Sequence, residues 1–213
     1  MAEIVTIDPR SPDIACLRRA AALLRQGEVV AIPTDTFYGL AANPFDLAAV
    51  ENVFSLKGRA KAAPLLLLVE SVEMATALSR NLPLRFFSLA EHFWPGPLTI
   101  VVEASPKIPP SVTAHTGRIG LRLPAASIPV ALIRETGFAI TGTSANLSGN
   151  SESSTAGEVE RCFGERLTLI LDGGTSRHVK PSTVLSLTMN SWEILREGAI
   201  PQTELTKVLK KGR

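Results

Sequence analysis

Four polar stretches interrupt an otherwise apolar chain, and their residue types bound the chemistry open to it. Thr34, Asp35, Thr36 and Tyr38 crowd four polar side chains into five positions directly after the apolar run Val29–Ile32. A capped turn would use Asp35 and Thr36 on local backbone, but four such groups exceed what a turn needs and suggest a ligand. Lys57-Gly58-Arg59-Ala60-Lys61 alternates cations, as phosphate binding would want; a helix C-terminus attracts the same charges. Thr143, Ser144 and Asn146, with Ser148, form a hydroxyl-rich passage that suits either a substrate or an Asx turn. In Ile119-Gly120-Leu121-Arg122-Leu123 the apolar residues share one face of a strand, and Gly120 and Arg122 share the other. A guanidinium on a buried strand must meet an anion, which an internal carboxylate or a ligand could supply equally well. Arg196 repeats the pattern at the end of Trp192-Glu193-Ile194-Leu195. Several such ends together describe a pocket for a substrate carrying phosphate or carboxylate.

Other chemistries find no support. Neither G-x-x-x-x-G-K-[ST] nor G-x-G-x-x-G occurs, so the standard nucleotide cradles do not apply. His92, His115 and His178 lack zinc-ligand spacing. Cys16 and Cys162 lie far apart on expected helices and are most simply reduced, buried and inert, as in a cytosolic protein. A net charge of +2 gives no whole-molecule pull on nucleic acid, so any anion site is a local cluster. The residues themselves lead to a multi-anion pocket without a covalent nucleophile.

The elements that must hold these groups alternate between helix and strand. Ser11-Pro12 marks a helix start, Ile14, Leu17, Ala21 and Leu24 recur at helical spacing, and Gly27 stops them. The strand Val29–Ile32 follows, ended by Pro33, which cannot donate to a ladder. Asp46 caps a helix through Val50, Val53, Phe54 and Lys57; Leu65–Val69 reads as a strand covered on both faces. Ser71 caps a short helix, Leu84–Phe93 makes another, and Trp94-Pro95-Gly96-Pro97 breaks the chain before a strand at Leu98–Val102. A helix from about Pro129 to Glu135 ends at Gly137, and a strand over Phe138–Thr141 leads into the Ser144 passage. Thr155 and Glu158 form a capping box, Leu167–Leu171 is a buried strand, and Val184–Leu187 with Trp192–Leu195 makes a hairpin before a basic C-terminal helix. With 213 residues, 45% hydrophobic, and no apolar run of membrane-spanning length, the expectation is a single α/β domain over 1–213. Its sheet is expected to be twisted, mixed and mostly buried between helices, and no secretory signal is visible.

Eight ordered segments carry a family resemblance. They are Pro33-Thr34-Asp35-Thr36-Phe37-Tyr38-Gly39-Leu40, Lys57-Gly58-Arg59, Trp94-Pro95-Gly96-Pro97-Leu98-Thr99, Gly120-Leu121-Arg122-Leu123-Pro124, Ser144-Ala145-Asn146-Leu147-Ser148-Gly149, Leu171-Asp172-Gly173-Gly174, Ser182-Thr183-Val184 and Leu195-Arg196-Glu197-Gly198. Together they resemble the YrdC-like family of L-threonylcarbamoyladenylate synthases, in what looks like its short, single-domain form. The resemblance implies an enzyme, a nucleotidyltransferase that joins L-threonine, bicarbonate and ATP into threonylcarbamoyl-AMP and pyrophosphate. It implies Mg2+ with the ATP, a cytoplasmic location, and a downstream threonylcarbamoyl transferase acting on adenosine 37 of tRNA. Contact with tRNA or double-stranded RNA, and no membrane, belong to the same expectation. By the family pattern, Thr34, Arg122, Thr143, Ser182 and Thr183 would hold threonine, and Lys57, Arg59, Ser144, Asn146 and Arg196 would hold the nucleotide. Ala63, Ser186 and Arg118 depart from that pattern around the triphosphate. A YciO-like paralogue tends to lose the S-x-N passage, which is intact here; a non-catalytic double-stranded RNA binder is the other alternative.

Overall fold

In the computed structural model, which describes residues 2–58, 64–176 and 180–211, the apolar runs become the strands of two mixed sheets. Among the described residues the chain opens with β1 (Glu3–Thr6), α1 (Ile14–Arg25), β2 (Val30–Ile32), β3 (Gly39–Ala41) and α2 (Leu47–Lys57). Next come β4 (Leu66–Leu68), α3 (Val72–Ala77), α4 (Leu84–Phe93), β5 (Leu98–Glu103), β6 (Arg118–Arg122) and α5 (Ser127–Thr136). Then follow β7 (Ile140–Thr141), β8 (Thr143–Ser144), α6 (Ala156–Phe163), β9 (Leu169–Asp172), β10 (Thr183–Leu187), β11 (Trp192–Arg196) and α7 (Gln202–Lys211).

One sheet has the order β1-β9-β2-β3-β8, the other β11-β10-β5-β6-β4-β7. The expected mixed pairing holds, but the strands divide between two sheets where one was anticipated. Gly142 is the reason. Ile140 and Thr141 pair antiparallel with β4, whereas Thr143 and Ser144, one residue later, pair antiparallel with β3. A Cβ on Gly142 would lie 2.5 Å from Leu68 Cγ, so only glycine lets the chain pass from one sheet to the other here.

Burial follows the period of two. In β2, Val30 and Ile32 enter the smaller core beneath α1 and α5, while Ala31 enters the larger one, so this strand is covered on both faces. In the second sheet Leu98, Ile100, Ile119, Leu121 and Leu185 face the larger core. Thr99, Val101, Gly120, Arg122 and Val184 face the opposite way, into a cavity. Helix ends largely follow local chemistry. Asp46 Oδ1 accepts from Ala48 N at 2.9 Å and Ala49 N at 3.2 Å, and Gly58 closes α2 with φ 56°. Thr155 and Glu158 make the reciprocal capping box at α6. The first helix starts later than Ser11-Pro12 suggested, because the Asp13 carboxylate accepts from Cys16 N at 2.9 Å. Both cysteines are free and half-buried, less enclosed than expected. No helix among the described residues is long and apolar enough to cross a membrane.

Candidate active site

The polar face of the second sheet and the ends of β2, β3 and β8 enclose a cavity of about 590 Å3. Arg122 lines it, 3% exposed, on the face of β6 that alternation assigned to it. Nε donates to Gly96 O at 3.0 Å and Nη1 to Thr36 Oγ1 at 3.0 Å. Nη2 lies 2.6 Å from Asp35 Oδ2. The internal carboxylate is therefore present. That contact is close enough for an ion pair but poorly aligned for a hydrogen bond, so both Asp35 oxygens and Arg122 Nη2 keep hydrogen-bonding capacity. The Trp94–Pro97 break, also one of the segments that carry the family resemblance, delivers the Gly96 carbonyl to this guanidinium.

The hydroxyls beside Arg122 form a one-way chain. Thr34 Oγ1 donates its only hydrogen to Phe37 O at 2.7 Å, so at the 3.1 Å Thr34–Thr36 contact Thr36 must be the donor. Thr36 in turn accepts from Arg122. Thr34 also accepts from Thr36 N at 3.1 Å, which leaves its hydroxyl no hydrogen for a ligand. It lines the cavity as a brace for Thr36.

Lys57 and the S-x-N passage are one unit. Lys57 is 4% exposed, and its ammonium donates to Ser144 O at 2.6 Å, Asn146 O at 3.0 Å and Asn146 Oδ1 at 3.2 Å. Ser144 Oγ donates to the same Asn146 Oδ1 at 2.6 Å, and Asn146 Nδ2 donates to Asn150 O at 2.6 Å. The lysine is thus no exposed cation. It pins the loop and brings positive charge to the cavity wall. Arg59, Lys61 and Ala63 lie outside the described residues, as does His178.

On the remaining side Ser182 Oγ sits 2.9 Å from Thr99 Oγ1 and 3.2 Å from Arg196 Nη2. Arg196 Nη2 also donates to Ser182 O at 2.9 Å. Burial holds Arg196 below the ordinary arginine value; Glu152 opposes that shift and Arg122 adds to it, which places these charges around one space. Thr143 lines the cavity. Thr183 does not: it is fully buried, donating to Ile200 O at 2.7 Å and accepting from Gly198 N and Ile200 N at 3.0 Å. Arg118 and Ser186 stand apart as well, joined by a 3.0 Å bond from Arg118 Nη2, which also reaches Val101 O and Leu187 O. Sequence reasoning missed Thr99, although it alternates with Leu98 and Ile100, and Glu152, which no motif marked. Among the described residues no three ligating side chains cluster as a metal cage.

A buried guanidinium, a pinned cationic wall and a second arginine line one cavity of this α/β protein with positive charge. The chain belongs to the Sua5/YciO/YrdC family, whose model, described as telomere recombination, matches residues 22–198. The threonylcarbamoyl-AMP synthase of Pyrococcus abyssi is 38% identical over 197 residues, 92% of this chain and 58% of that protein. This chain therefore spans little more than half the length of that relative. The crystal structure of P. abyssi Sua5 complexed with L-threonine matches with a TM-score of 0.94 at 36% identity, covering 98% of this chain and 61% of that one. E. coli YciO matches with a TM-score of 0.86 at 24% identity, covering 94% of this chain and 98% of that one, a likeness of fold.

Proposed function

We propose that this chain is an L-threonylcarbamoyladenylate synthase, a nucleotidyltransferase making threonylcarbamoyl-AMP and pyrophosphate from L-threonine, bicarbonate and ATP. The observation that carries this reading is the pairing, inside one cavity, of Arg122 with the Lys57–Ser144–Asn146 wall and Arg196. The name of the P. abyssi relative and the L-threonine bound by P. abyssi Sua5 support it. The intact S-x-N passage favours it over a YciO-like role.

In this reading the threonine carboxylate meets the donors left on Arg122, and the Thr99 and Ser182 hydroxyls border the amino acid. The amino nitrogen takes up the carbon of bicarbonate with loss of water, giving a carbamate. A carbamate oxygen then attacks the α-phosphorus, and pyrophosphate leaves with the electrons of the broken P–O bond. The step needs alignment and charge neutralisation more than a base. Lys57 and Arg196 supply fixed positive charge, Arg59 by sequence adds to it, and Ser144 and Asn146 offer neutral bonds. Magnesium arriving with ATP would neutralise phosphate charge. The product would pass to a threonylcarbamoyl transferase for tRNA in the cytoplasm. We also propose that residues 1–213 act as one YrdC-like unit. Pyrophosphate release that requires threonine and bicarbonate together is the expected outcome. Release without threonine, or none with all three substrates, overturns the assignment.

A further inference from the structure

Among the described residues that line the cavity, Glu152 is the one carboxylate; Lys57, Arg122 and Arg196 line the same space, and the charge of Glu152 acts on Arg196. It is half-buried and, among the described residues, makes no hydrogen bond or ion pair. Its backbone is not loose. The next residue, Ser153, donates its hydroxyl to Ala145 O at 2.6 Å and accepts from Tyr38 N at 2.9 Å through its carbonyl. Ser154 N is bound by Glu158 Oε2 at 2.6 Å. Glu152 is thus held between the S-x-N passage and the Thr34–Tyr38 stretch, in a cavity whose other charges favour anions. A bare triphosphate there would be repelled by the carboxylate. A divalent cation between the two reverses the sign of that interaction. Mg2+ suits the donor set, since it commonly takes one or two carboxylates, fills its octahedron with phosphate oxygens and water, and needs no protein cage.

We propose that Glu152 is a protein ligand for the magnesium ion of the bound nucleotide, making this chain selective for metal-complexed over metal-free ATP. The proposal rests on the reading of the cavity as a nucleotide site. Its consequence is that the carboxylate penalises metal-free nucleotide and rewards the complex, so its removal should compress the difference from both sides.

Calorimetric titration of wild type and Glu152→Gln with ATP, in magnesium and in EDTA, tests it without reference to turnover. In wild type, magnesium should tighten ATP binding by about tenfold or more; in Glu152→Gln the two forms should bind within about twofold, with metal-free ATP tighter than in wild type. A thermal melt verifies that the variant is folded. Persistence of the full magnesium preference in Glu152→Gln would mean that phosphates alone hold the ion, and the assignment falls. Equal weakening of both forms would make Glu152 an acceptor for a nucleotide hydroxyl, which also overturns it. If wild type binds neither form, the nucleotide reading itself fails and this inference with it.

Discussion

Lys57 shows how far a residue's role depends on what its tip meets. By sequence it is one of three alternating cations after a helix, where a solvated face would be unremarkable. In the fold the residue is 4% exposed, and its ammonium satisfies two backbone carbonyls and the Asn146 side-chain oxygen. A surface lysine can be removed within about 0.5 kcal/mol. Lys57→Met keeps much of the stem but strands buried acceptors, so it should cost about 1–3 kcal/mol in urea unfolding and weaken ATP binding by unpinning the S-x-N passage. Wild-type stability in that variant would return Lys57 to the solvated-cation reading. Arg122 differs in what was legible. Its alternation with Ile119 and Leu121 placed it on the polar face of β6, and its need for an anion followed from burial. That the anion is Asp35 was not readable, because only the packing of β6 against the end of β2 brings them to 2.6 Å.

The Thr34–Tyr38 stretch works as an element because it is tied down from several sides. Tyr38 N donates to Ser153 O at 2.9 Å and Ala145 N to Tyr38 O at 2.7 Å, while the phenol shares its one hydrogen between Gly174 O at 2.7 Å and Asp172 Oδ1 at 3.2 Å. The polar loop is thereby anchored to the end of β9. Burial, then the nearby Asp172 charge and the bond to it, raise the Tyr38 phenol far above its ordinary value of 10.0. The sign is clear: the folded chain prefers neutral phenol, so this contribution is whole below pH 10 and declines as pH rises toward the folded pKa. Tyr38 is the chain's only tyrosine, so phenolate absorbance reports it alone. The native protein should show no phenolate step near pH 10, the urea-unfolded chain should show one, and Tyr38→Phe should flatten the alkaline loss of stability. A native midpoint near pH 10 sinks the claim. At this scale the capped helices were legible, since Asp46, Ser71 and the Thr155–Glu158 box act within one turn. The strands β3 and β8 were not: three and two residues are too few to display alternation.

At the scale of the whole molecule, the cavity exists because the chain leaves one sheet and joins the other within a single residue. Gly142 is that residue, and it also lines the cavity. A Cβ there would lie 2.5, 2.9 and 3.0 Å from Leu68 Cγ, Cδ2 and Cδ1. Leu68 is 1% exposed and belongs to β4, which pairs with both β6 and β7, so it cannot swing aside as a surface side chain would. Overpacking of this kind costs about 1–3 kcal/mol, and in a chain of this size each kcal/mol lowers Tm by about 2–4 °C. Gly142→Ala should therefore melt several degrees below wild type. It should also weaken ligand binding, because β8 carries Thr143 and Ser144 away from the crossover. General loss of stability is separated from this specific clash by a double-mutant cycle. Leu68→Ala removes the atoms that the new methyl meets, so Gly142→Ala with Leu68→Ala should be less destabilised than the sum of the two single changes. Strict additivity, or a Gly142→Ala protein as stable as wild type, would mean that the two sheets are joined by a looser crossover than these distances describe.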